Sequence, residues 1–351
     1  MTKRNLREKF EDGWNKLFGK EEDKGKLRTQ SLYRAQQKNI TLNAGTPHDW
    51  EDLKNIKKKK TVMNKIGFIG LGVMGAPMAG HLSKKNFQVS VFNRSPEKSI
   101  NWKSKYKGKI CESISDLVTC SEVIILCVGN DSDVKDIING KSGIIDLLKP
   151  GSIIIDHTTT SAELAKEMNE ALLLKDCYFV DAPISGGQLG AESGTLSIMA
   201  GGNQKAFEAS RSIFESYSKF YKLMGPSGTG QLTKMVNQIC IAGLIQALAE
   251  GINFSEKAGL NTADVMEVIT KGAAQSWQMD NRWKTMLNDE YDFGFAVDLM
   301  TKDLDIVLDQ AKTINADLEI TGLINNFYKE IQSEGGGRWD TSSLLKRMKK
   351  K

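Results

Sequence analysis

The chain is poor in the residues that build metal centres and disulfide frameworks. Its three histidines, at positions 48, 81 and 157, lie too far apart in the sequence to indicate a metal site. Its five cysteines include no C-x-x-C pair, and we expect them to be reduced thiols in the core. No uninterrupted apolar run approaches the roughly 20 residues of a membrane span, and the N-terminus lacks the apolar region of a signal peptide. These absences predict a cytoplasmic protein without a metal and without a membrane partner.

The basic charge of the chain is confined to its beginning. The net charge is +5, but residues 1–64 carry 16 Lys and Arg against 9 Asp and Glu, whereas the rest carries 32 against 34. We therefore expect no nucleic-acid partner for the folded part. Residues 1–64 are predicted to be a basic, disordered N-terminal extension, so that the compact fold could begin at Met63. An alternative is an amphipathic helix that docks on a neighbouring subunit or an anionic membrane surface, built on Leu6, Phe10, Trp14, Leu17 and Phe18.

The rest of the chain changes its pattern once. From 65 to 226, apolar runs alternate with helical patterns, which predicts a doubly wound, Rossmann-type α/β domain with a parallel sheet. From 227 to 351 the pattern is helical, which predicts an all-α domain for substrate binding and oligomerisation. Candidate strands are 66–70, 88–92, 122–128, 152–156, 177–181, 195–200 and 219–223. Candidate helices are 74–85, 115–120, 132–138, 161–174, 204–216, 230–258, 262–271, 276–288, 296–314 and 318–333.

A glycine-rich turn follows the first candidate strand. The strand Ile66 to Ile69 runs into G-x-G-x-x-G, and a second apolar alternation follows at Val89 to Phe92. In such a turn the first glycine allows a tight bend, the second lets the backbone approach a pyrophosphate, and the third packs helix on strand. The stretch therefore predicts a dinucleotide site, formed by Gly70, Leu71, Gly72, Val73, Met74 and Gly75.

The residues after the second strand indicate which dinucleotide binds. A site for NAD usually has Asp or Glu at this place, which binds the ribose 2′-hydroxyl and would repel a 2′-phosphate. This chain has Asn93, Arg94 and Ser95 instead. An amide, a guanidinium and a hydroxyl can all bind phosphate, so we expect NADP, with NAD as the alternative. The other reading of Arg94 is a solvated loop residue.

Two further stretches carry residues suited to chemistry. Ser185, Gly186 and Gly187 follow a candidate strand, where a hydroxyl and backbone N–H groups can bind a carboxylate; a plain Gly-rich hairpin turn is the alternative. Lys234 lies early in a long apolar helix, on one face with Asn237 and Gln238. A lysine on the inner face of such a helix is costly to bury unless it is used or paired, although its side chain could instead extend to solvent.

Together these stretches resemble the β-hydroxyacid dehydrogenase family. This family includes 3-hydroxyisobutyrate dehydrogenase, tartronate semialdehyde reductase and the glyoxylate and succinic semialdehyde reductases. The resemblance rests on the glycine turn, the segment 181–187, the helix start 228–234 and the segment 302–304, and it continues through 340–342. It implies a NAD(P)-dependent oxidoreductase that interconverts a short 3-hydroxy or 2-hydroxy acid and its semialdehyde or oxo acid.

The resemblance also implies roles for single residues. Lys234 matches the catalytic acid/base, and Ser185, Gly186 and Gly187 match the segment that holds the substrate carboxylate. Further substrate-binding positions are Asn237, Gln238, Phe295 and Asp303.

The remaining matches concern the cofactor. Thr159 matches a residue between cofactor and substrate, Lys302 one that approaches the cofactor from the helical domain, and Val128 with Gly129 a loop under the riboses. Two features favour different subfamilies. The amides at 237 and 238 are similar to those of tartronate semialdehyde reductases, and the Asn93 to Ser95 stretch is similar to NADP-dependent glyoxylate and succinic semialdehyde reductases.

Three alternatives to this function stay open. A 6-phosphogluconate dehydrogenase has a much larger helical domain, and an imine reductase replaces the lysine with an acid or Tyr. A catalytically silent NADP-binding scaffold would keep the fold alone. The apolar helix 230–258 has more apolar surface than one small domain readily covers, so we expect a homodimer or homotetramer.

Overall fold

Nine strands form one twisted sheet in the computed structural model, which describes residues 63–349. Their spatial order is β3-β2-β1-β4-β5-β6-β8-β7, and β9 pairs with β8. The strands are β1 Lys65–Ile69, β2 Gln88–Phe92, β3 Lys109–Ile110, β4 Val123–Leu126, β5 Ile153–Asp156, β6 Tyr178–Asp181, β7 Ile184–Ser185, β8 Leu196–Gly202 and β9 Ser218–Gly225.

The centre of the sheet is parallel because its strands are apolar on both faces. All residues of β4 and β5 are buried, and so are Ile66 to Ile69 of β1. In the parallel register, Ile66 lies opposite Val89 on one side and Val123 on the other. The carboxyl ends of β1, β4 and β5 therefore meet at one edge of the sheet, where the glycine turn begins.

The sheet is not parallel throughout, although the strand pattern predicted a parallel one. Strands β6 and β7 both pair with β8 in antiparallel register, while β8 and β9 are parallel. The reason is the segment Gly187–Ser193, which turns the chain back between β7 and β8, so that β8 runs opposite to both β6 and β7. The doubly wound Rossmann-type core is confirmed, and its antiparallel margin is the difference.

Helices cover both faces of the sheet. Several of their starts carry a side-chain cap, such as Ser113 on Asp116 N, Asn130 on Asp133 N and Ser161 on Leu164 N. The helices of this half are α1 Gly75–Lys84, α2 Pro96–Lys105, α3 Ile114–Thr119, α4 Asp131–Asn139, α5 Ala162–Leu173, α6 Gly187–Ser193, α7 Gln204–Ala209 and α8 Arg211–Phe214.

Some short elements were not predicted from the sequence patterns. Helix α2 is polar and buries only Ser99 and Trp102, which leaves little periodicity to detect. The predicted helix 204–216 is two helices, broken at Ser210. The other elements that were not predicted are β3, β7, α6, a 3₁₀ turn at Ile145–Leu147, a 3₁₀ turn at Thr341–Ser343 and the last helix, Leu344–Lys349.

The rest of the described chain is helical, as predicted. Its helices are α9 Thr229–Lys257, α10 Thr262–Ile269, α11 Trp277–Leu287, α12 Val297–Ile314, α13 Glu319–Ser333 and α14 Leu344–Lys349. They enclose a second core, to which α9 contributes Ala242, Ile245, Leu248, Ala249 and Ile252. The described residues, 63–349, belong to one compact unit, so a division at 226 stays an interpretation. The amphipathic helix considered for residues 6–18 lies outside the described residues.

Helix α9 is long and apolar enough to cross a membrane by length and composition alone. Of its most apolar 18-residue window, 44% is buried inside the fold. Its inward face belongs to the second core, which is the pattern of a core helix.

One expectation about the cysteines is wrong. All five are free, and four of them are buried or half-buried, but Cys240 is exposed on the outward face of α9.

Candidate active site

The glycine turn after β1 combines crowding with open space. Gly70 has a φ of +99°, and a Cβ there would lie 2.2 Å from the Cys127 carbonyl oxygen. A Cβ on Gly75 would lie 1.9 Å from the Gly70 oxygen, whereas a Cβ on Gly72 would meet no atom within 4 Å. The first and third glycines are thus required by the fold. The space beside Gly72 fits the approach of a pyrophosphate to the backbone.

Residues 93 to 95 follow β2 and begin beside the glycine turn. The Asn93 Oδ1 accepts from Leu71 N at 2.8 Å, so this amide fastens the glycine turn to the end of β2. The Arg94 Nη1 lies 3.3 Å from Asp133 Oδ1, with 85% of the arginine side chain exposed. Ser95 is the N-cap residue of α2, but its side chain makes no capping hydrogen bond.

The loops after β4 and β5 are fastened to each other. Val128 N donates to Thr158 Oγ1 at 3.1 Å, and Thr158 N donates to Asp156 Oδ1 at 2.9 Å. Gly129 N donates to Asp133 Oδ2 at 3.1 Å. Burial raises the pKa of Asp156 to about 7, because the buried carboxyl has few donors with which to stabilise its charge.

Lys234 is buried at the first turns of α9. Its side chain does not extend to solvent, since the residue is 7% exposed and Nζ donates to the Ile184 carbonyl oxygen at 2.8 Å. The pKa of Lys234 is lowered to about 8, mainly by burial, with the nearby Asp303 acting to raise it and the neighbouring Lys302 acting to lower it. A lysine with such a pKa can exchange a proton near neutral pH.

A chain of side-chain contacts runs from Ser185 to Asp303. Ser185 Oγ donates to Asn237 Oδ1 at 3.2 Å, and Asn237 Nδ2 donates to Gln238 Oε1 at 2.7 Å. Gln238 Nε2 then donates to Asp303 Oδ2 at 2.7 Å. The chain crosses from the sheet to α9 and on to α12. It brings together four of the residues that the sequence predicts for substrate binding.

Lys302 continues this chain toward the sheet. Its Nζ lies 3.0 Å from Asp303 Oδ1 and donates to the Thr159 carbonyl oxygen at 2.6 Å. Two residues predicted near the cofactor are therefore in direct contact with each other. We name the whole set, from Ser185 through Asn237, Gln238, Asp303 and Lys302 to Thr159, the polar chain.

Phe295 is held by other contacts. Its backbone N–H donates to Asp340 Oδ2 at 2.9 Å, and its carbonyl oxygen accepts from Thr341 N at 2.9 Å. Asp340 also forms a buried ion pair with Arg282, at 3.2 Å between Oδ1 and Nε. The motif at 340–342 thus fixes the segment that carries Phe295.

Asp181 and Gln231 take part in the site although the sequence indicated no role for them. The buried Asp181 carboxylate accepts from Gly228 N at 2.9 Å and Gln231 N at 3.1 Å, at the start of α9. Burial raises the pKa of Asp181 to about 6, against the opposing effect of these hydrogen bonds. Gln231 Nε2 donates to Thr158 O at 2.8 Å. An acidic residue ending a buried strand is the signal that could have identified Asp181.

The described residues hold no group of three or more His, Cys, Asp and Glu side chains that could bind a metal ion. The acid/base and hydrogen-bonding groups described above include two lysines, the Asp181 and Asp303 carboxyls, amides and hydroxyls.

Family models match both halves of the chain. One described as the NAD binding domain of 6-phosphogluconate dehydrogenase matches residues 65–229. One described as NAD-binding of NADP-dependent 3-hydroxyisobutyrate dehydrogenase matches residues 228–348.

Known proteins are similar over the same region. An uncharacterized oxidoreductase of Shewanella frigidimarina is 50% identical over 288 residues, which is 82% of this chain and 99% of that protein. The 2-hydroxy-3-oxopropionate reductase of Escherichia coli is 32% identical over 286 residues, 80% of this chain and 96% of that one. A solved 3-hydroxyisobutyrate dehydrogenase of Mycobacterium tuberculosis, with L-serine, has a TM-score of 0.73 at 25% identity and covers 82% of this chain and 99% of that one. The chain therefore belongs to the β-hydroxyacid dehydrogenase family, and it is a NAD(P)-dependent oxidoreductase that acts on CH–OH groups.

Proposed function

We propose that this protein interconverts a short hydroxy acid and its semialdehyde or oxo acid, with Lys234 as the acid/base and NADP(H) as the preferred cofactor. The observation that carries the proposal is the buried Lys234 ammonium beside the polar chain, with Ile184 O as its hydrogen-bond acceptor. A lysine buried in this way is expensive unless it is used. Its position beside hydroxyl and amide groups suits a small polar substrate.

The proton chemistry follows from the lysine. In reduction, the Lys234 ammonium donates to the carbonyl oxygen of the substrate, stabilises the developing negative charge and delivers one proton. In oxidation, the neutral amine takes the proton of the hydroxyl. A pKa of about 8 keeps both forms populated near neutral and mildly alkaline pH, which an ordinary lysine near 10.5 does not.

Binding of the substrate carboxylate is assigned to the segment after β6. The Ser185 hydroxyl and the backbone N–H groups of Gly186 and Gly187 are suitable donors. Gly186 and Gly187 have φ values of +131° and +61°, and a Cβ on Gly187 would meet no atom within 4 Å. This conformation and this space favour glycine where a ligand approaches the backbone.

A bound nicotinamide dinucleotide supplies or accepts the hydride in this reaction. The open space at Gly72 accommodates its pyrophosphate, and the exposed Arg94 is the candidate for a 2′-phosphate. Thr159, Lys302, Val128 and Gly129 are proposed to line the same cleft. The positioning of the reacting atoms is the main contribution of the protein.

The test follows loss of NADPH absorbance, with NADH in parallel, on glyoxylate and on succinic, tartronate and methylmalonate semialdehydes. For Lys234→Ala we expect a fall in kcat of about 10²- to 10⁴-fold. The control is Lys257→Ala, at the exposed end of the same helix, which should leave the rate unchanged. Full activity of Lys234→Ala would show that another group delivers the proton. Absence of turnover on all four aldehydes by a protein that binds NADPH would favour the silent scaffold.

A homodimer or homotetramer is part of the proposal, with a boundary near 226 between the cofactor and helical domains. Helix α9 exposes large apolar side chains, among them Val236, Leu244 and Phe254. We expect Leu244→Glu to shift the protein to a smaller species in gel filtration, because a charge would be buried at the contact. A clean monomer for the unmodified protein at two concentrations would contradict this.

A further inference from the structure

An ion pair crosses the cofactor end of the sheet. Arg94 follows β2 and Asp133 lies in the first turn of α4, which follows β4. Strands β2 and β4 are the two neighbours of β1. The contact between Arg94 Nη1 and Asp133 Oδ1, at 3.3 Å, therefore connects the two sides of the glycine turn.

The two partners are held very differently. The Asp133 side chain is 22% exposed, and its second oxygen accepts from Gly129 N at 3.1 Å, while its own N–H donates to Asn130 Oδ1. The Arg94 side chain is 85% exposed, and within residues 63–349 the contact recorded for its guanidinium is this ion pair. The carboxylate is thus fixed and the guanidinium is free to turn.

We propose that Asp133 is a specificity-determining residue that opposes Arg94 in the choice between NADP(H) and NAD(H). This inference rests on the proposed use of Arg94 for the 2′-phosphate. A phosphate carries about 1.5 to 2 negative charges at pH 7, and a phosphate that binds the Arg94 guanidinium in this paired position lies close to the fixed Asp133 carboxylate. A 2′-hydroxyl has no such charge. Asp133 therefore weakens NADP(H) binding and leaves NAD(H) binding nearly unchanged.

The opposite effect, in which Asp133 aids NADP(H) by holding Arg94 in place, is smaller. An ion pair between such an exposed arginine and a carboxylate restrains the side chain only weakly. Repulsion between a fixed carboxylate and a phosphate on one guanidinium acts at a few ångströms, where it exceeds that restraint. The ratio of NADPH to NADH affinity is then set by the pair rather than by Arg94 alone.

The experiment measures the dissociation constants of NADPH and NADH by nicotinamide fluorescence, using the full-length protein. We expect Asp133→Asn to tighten NADPH binding by about fivefold to tenfold and to change NADH by less than about twofold. The side-chain amide oxygen of this variant can still accept from Gly129 N, so the fold is preserved. Asp136→Asn is the control, because Asp136 is exposed on the same helix and the net charge changes equally. Asp133→Ser should act in the same direction as Asp133→Asn.

Arg94→Gln separates this inference from the proposed function. In that background Asp133→Asn should no longer tighten NADPH, because no guanidinium remains for the two anions to share. A protein that prefers NADPH but binds it equally well or more weakly after Asp133→Asn would overturn the inference and leave the proposed function intact. An equal gain in NADPH affinity with Asp136→Asn would overturn the inference too, because the net charge alone would then explain the effect. A protein that prefers NADH, with no effect of Arg94→Gln, would overturn the proposed cofactor preference itself.

Discussion

The two halves of the protein bury their aspartates in different surroundings. At the carboxyl ends of β5 and β6, Asp156 and Asp181 have N–H and hydroxyl donors as neighbours, and burial raises their pKa values to about 7 and about 6. In the helical half, Asp303 is similarly buried but lies 3.0 Å from the Lys302 ammonium. The sheet half thus holds its carboxyls by neutral donors, whereas the helical half adds a cation to such donors.

Asp340 makes the contrast sharper. It is 1% exposed, and it is paired with Arg282, whose guanidinium also lies 5.0 Å from the ring centroids of Trp277 and Phe293. A carboxyl that has only dipoles beside it can take up a proton at modest cost. A carboxylate paired with a cation depends on that cation for its place in the core. Changes in the two halves should therefore differ in both size and pH dependence.

The largest effect is expected from removing a cation in the helical half. Arg282→Met leaves the Asp340 charge buried without its partner, and we expect the free energy of unfolding to fall by about 3 to 5 kcal/mol in denaturant titration. The control is Lys329→Met, which removes an ion pair with Asp305 in which both side chains are about half exposed (48% each). The loss there should be at most about 1 kcal/mol. Equal losses for the two variants would mean that burial of the pair does not matter.

A smaller effect, opposite in its pH dependence to that of ordinary carboxyls, is expected in the sheet. The folded pKa values of Asp156 and Asp181 lie above the unfolded value near 3.8. Their contribution to stability is therefore fully present below about pH 4 and is lost as the pH rises through about 6 to 7. Asp156→Asn removes one of these titrations.

The measurement is the free energy of unfolding of Asp156→Asn and of the unmodified protein from pH 5 to pH 8. We expect the free energy of unfolding of the variant, relative to that of the unmodified protein, to rise by on the order of 2 kcal/mol from pH 5 to pH 8. Asp136→Asn, at an exposed position, should show no such trend. A difference between the proteins that stays constant with pH would show that the folded Asp156 carboxyl is already ionised at pH 5, as it is in the unfolded chain.

Local patterns in the sequence predicted much of this architecture. The glycine turn, the apolar strands and the face shared by Lys234, Asn237 and Gln238 all depend on residues within a few positions of one another. Their places in the fold follow from strand and helix periodicity. The polar helix α2 was not predicted, because only two of its residues are buried.

The hydrogen bonds that the sequence did not predict join residues that lie far apart in the chain. The acceptor of Lys234 is a carbonyl 50 positions away, at Ile184, and the donors to Asp181 lie 47 and 50 positions away. Backbone groups leave no residue-type signal in a sequence, since every residue has a carbonyl. The place of Lys234 thus depends on the strand Ile184–Ser185, which is two residues long and too short for a periodic pattern.

The smallest effect is expected for a change at Gln238, which lies between Asn237 and the Lys302–Asp303 ion pair. This amide accepts from Asn237 and donates to Asp303. It therefore connects the Ser185 end of the polar chain with the Lys302–Asp303 end. Gln238→Leu keeps a similar volume and removes both contacts, but leaves the Lys302–Asp303 pair in place. We expect kcat/KM for the aldehyde to fall about tenfold, which is about 1.4 kcal/mol, with the NADPH dissociation constant changed by less than about twofold.

The matched control for Gln238→Leu is Gln246→Leu, further along α9. Gln246 is also buried, but its amide donates to Glu250 at 2.7 Å, within the same helix. Its loss should leave kcat/KM unchanged, because no contact of the polar chain is broken. If both variants lose activity alike, the effect belongs to the stability of α9 and not to the polar chain. If Gln238→Leu keeps the kcat/KM of the unmodified protein, the Lys302–Asp303 pair alone orients the helical side of the site. The Lys302 ammonium, rather than the Gln238 amide, then connects the two halves.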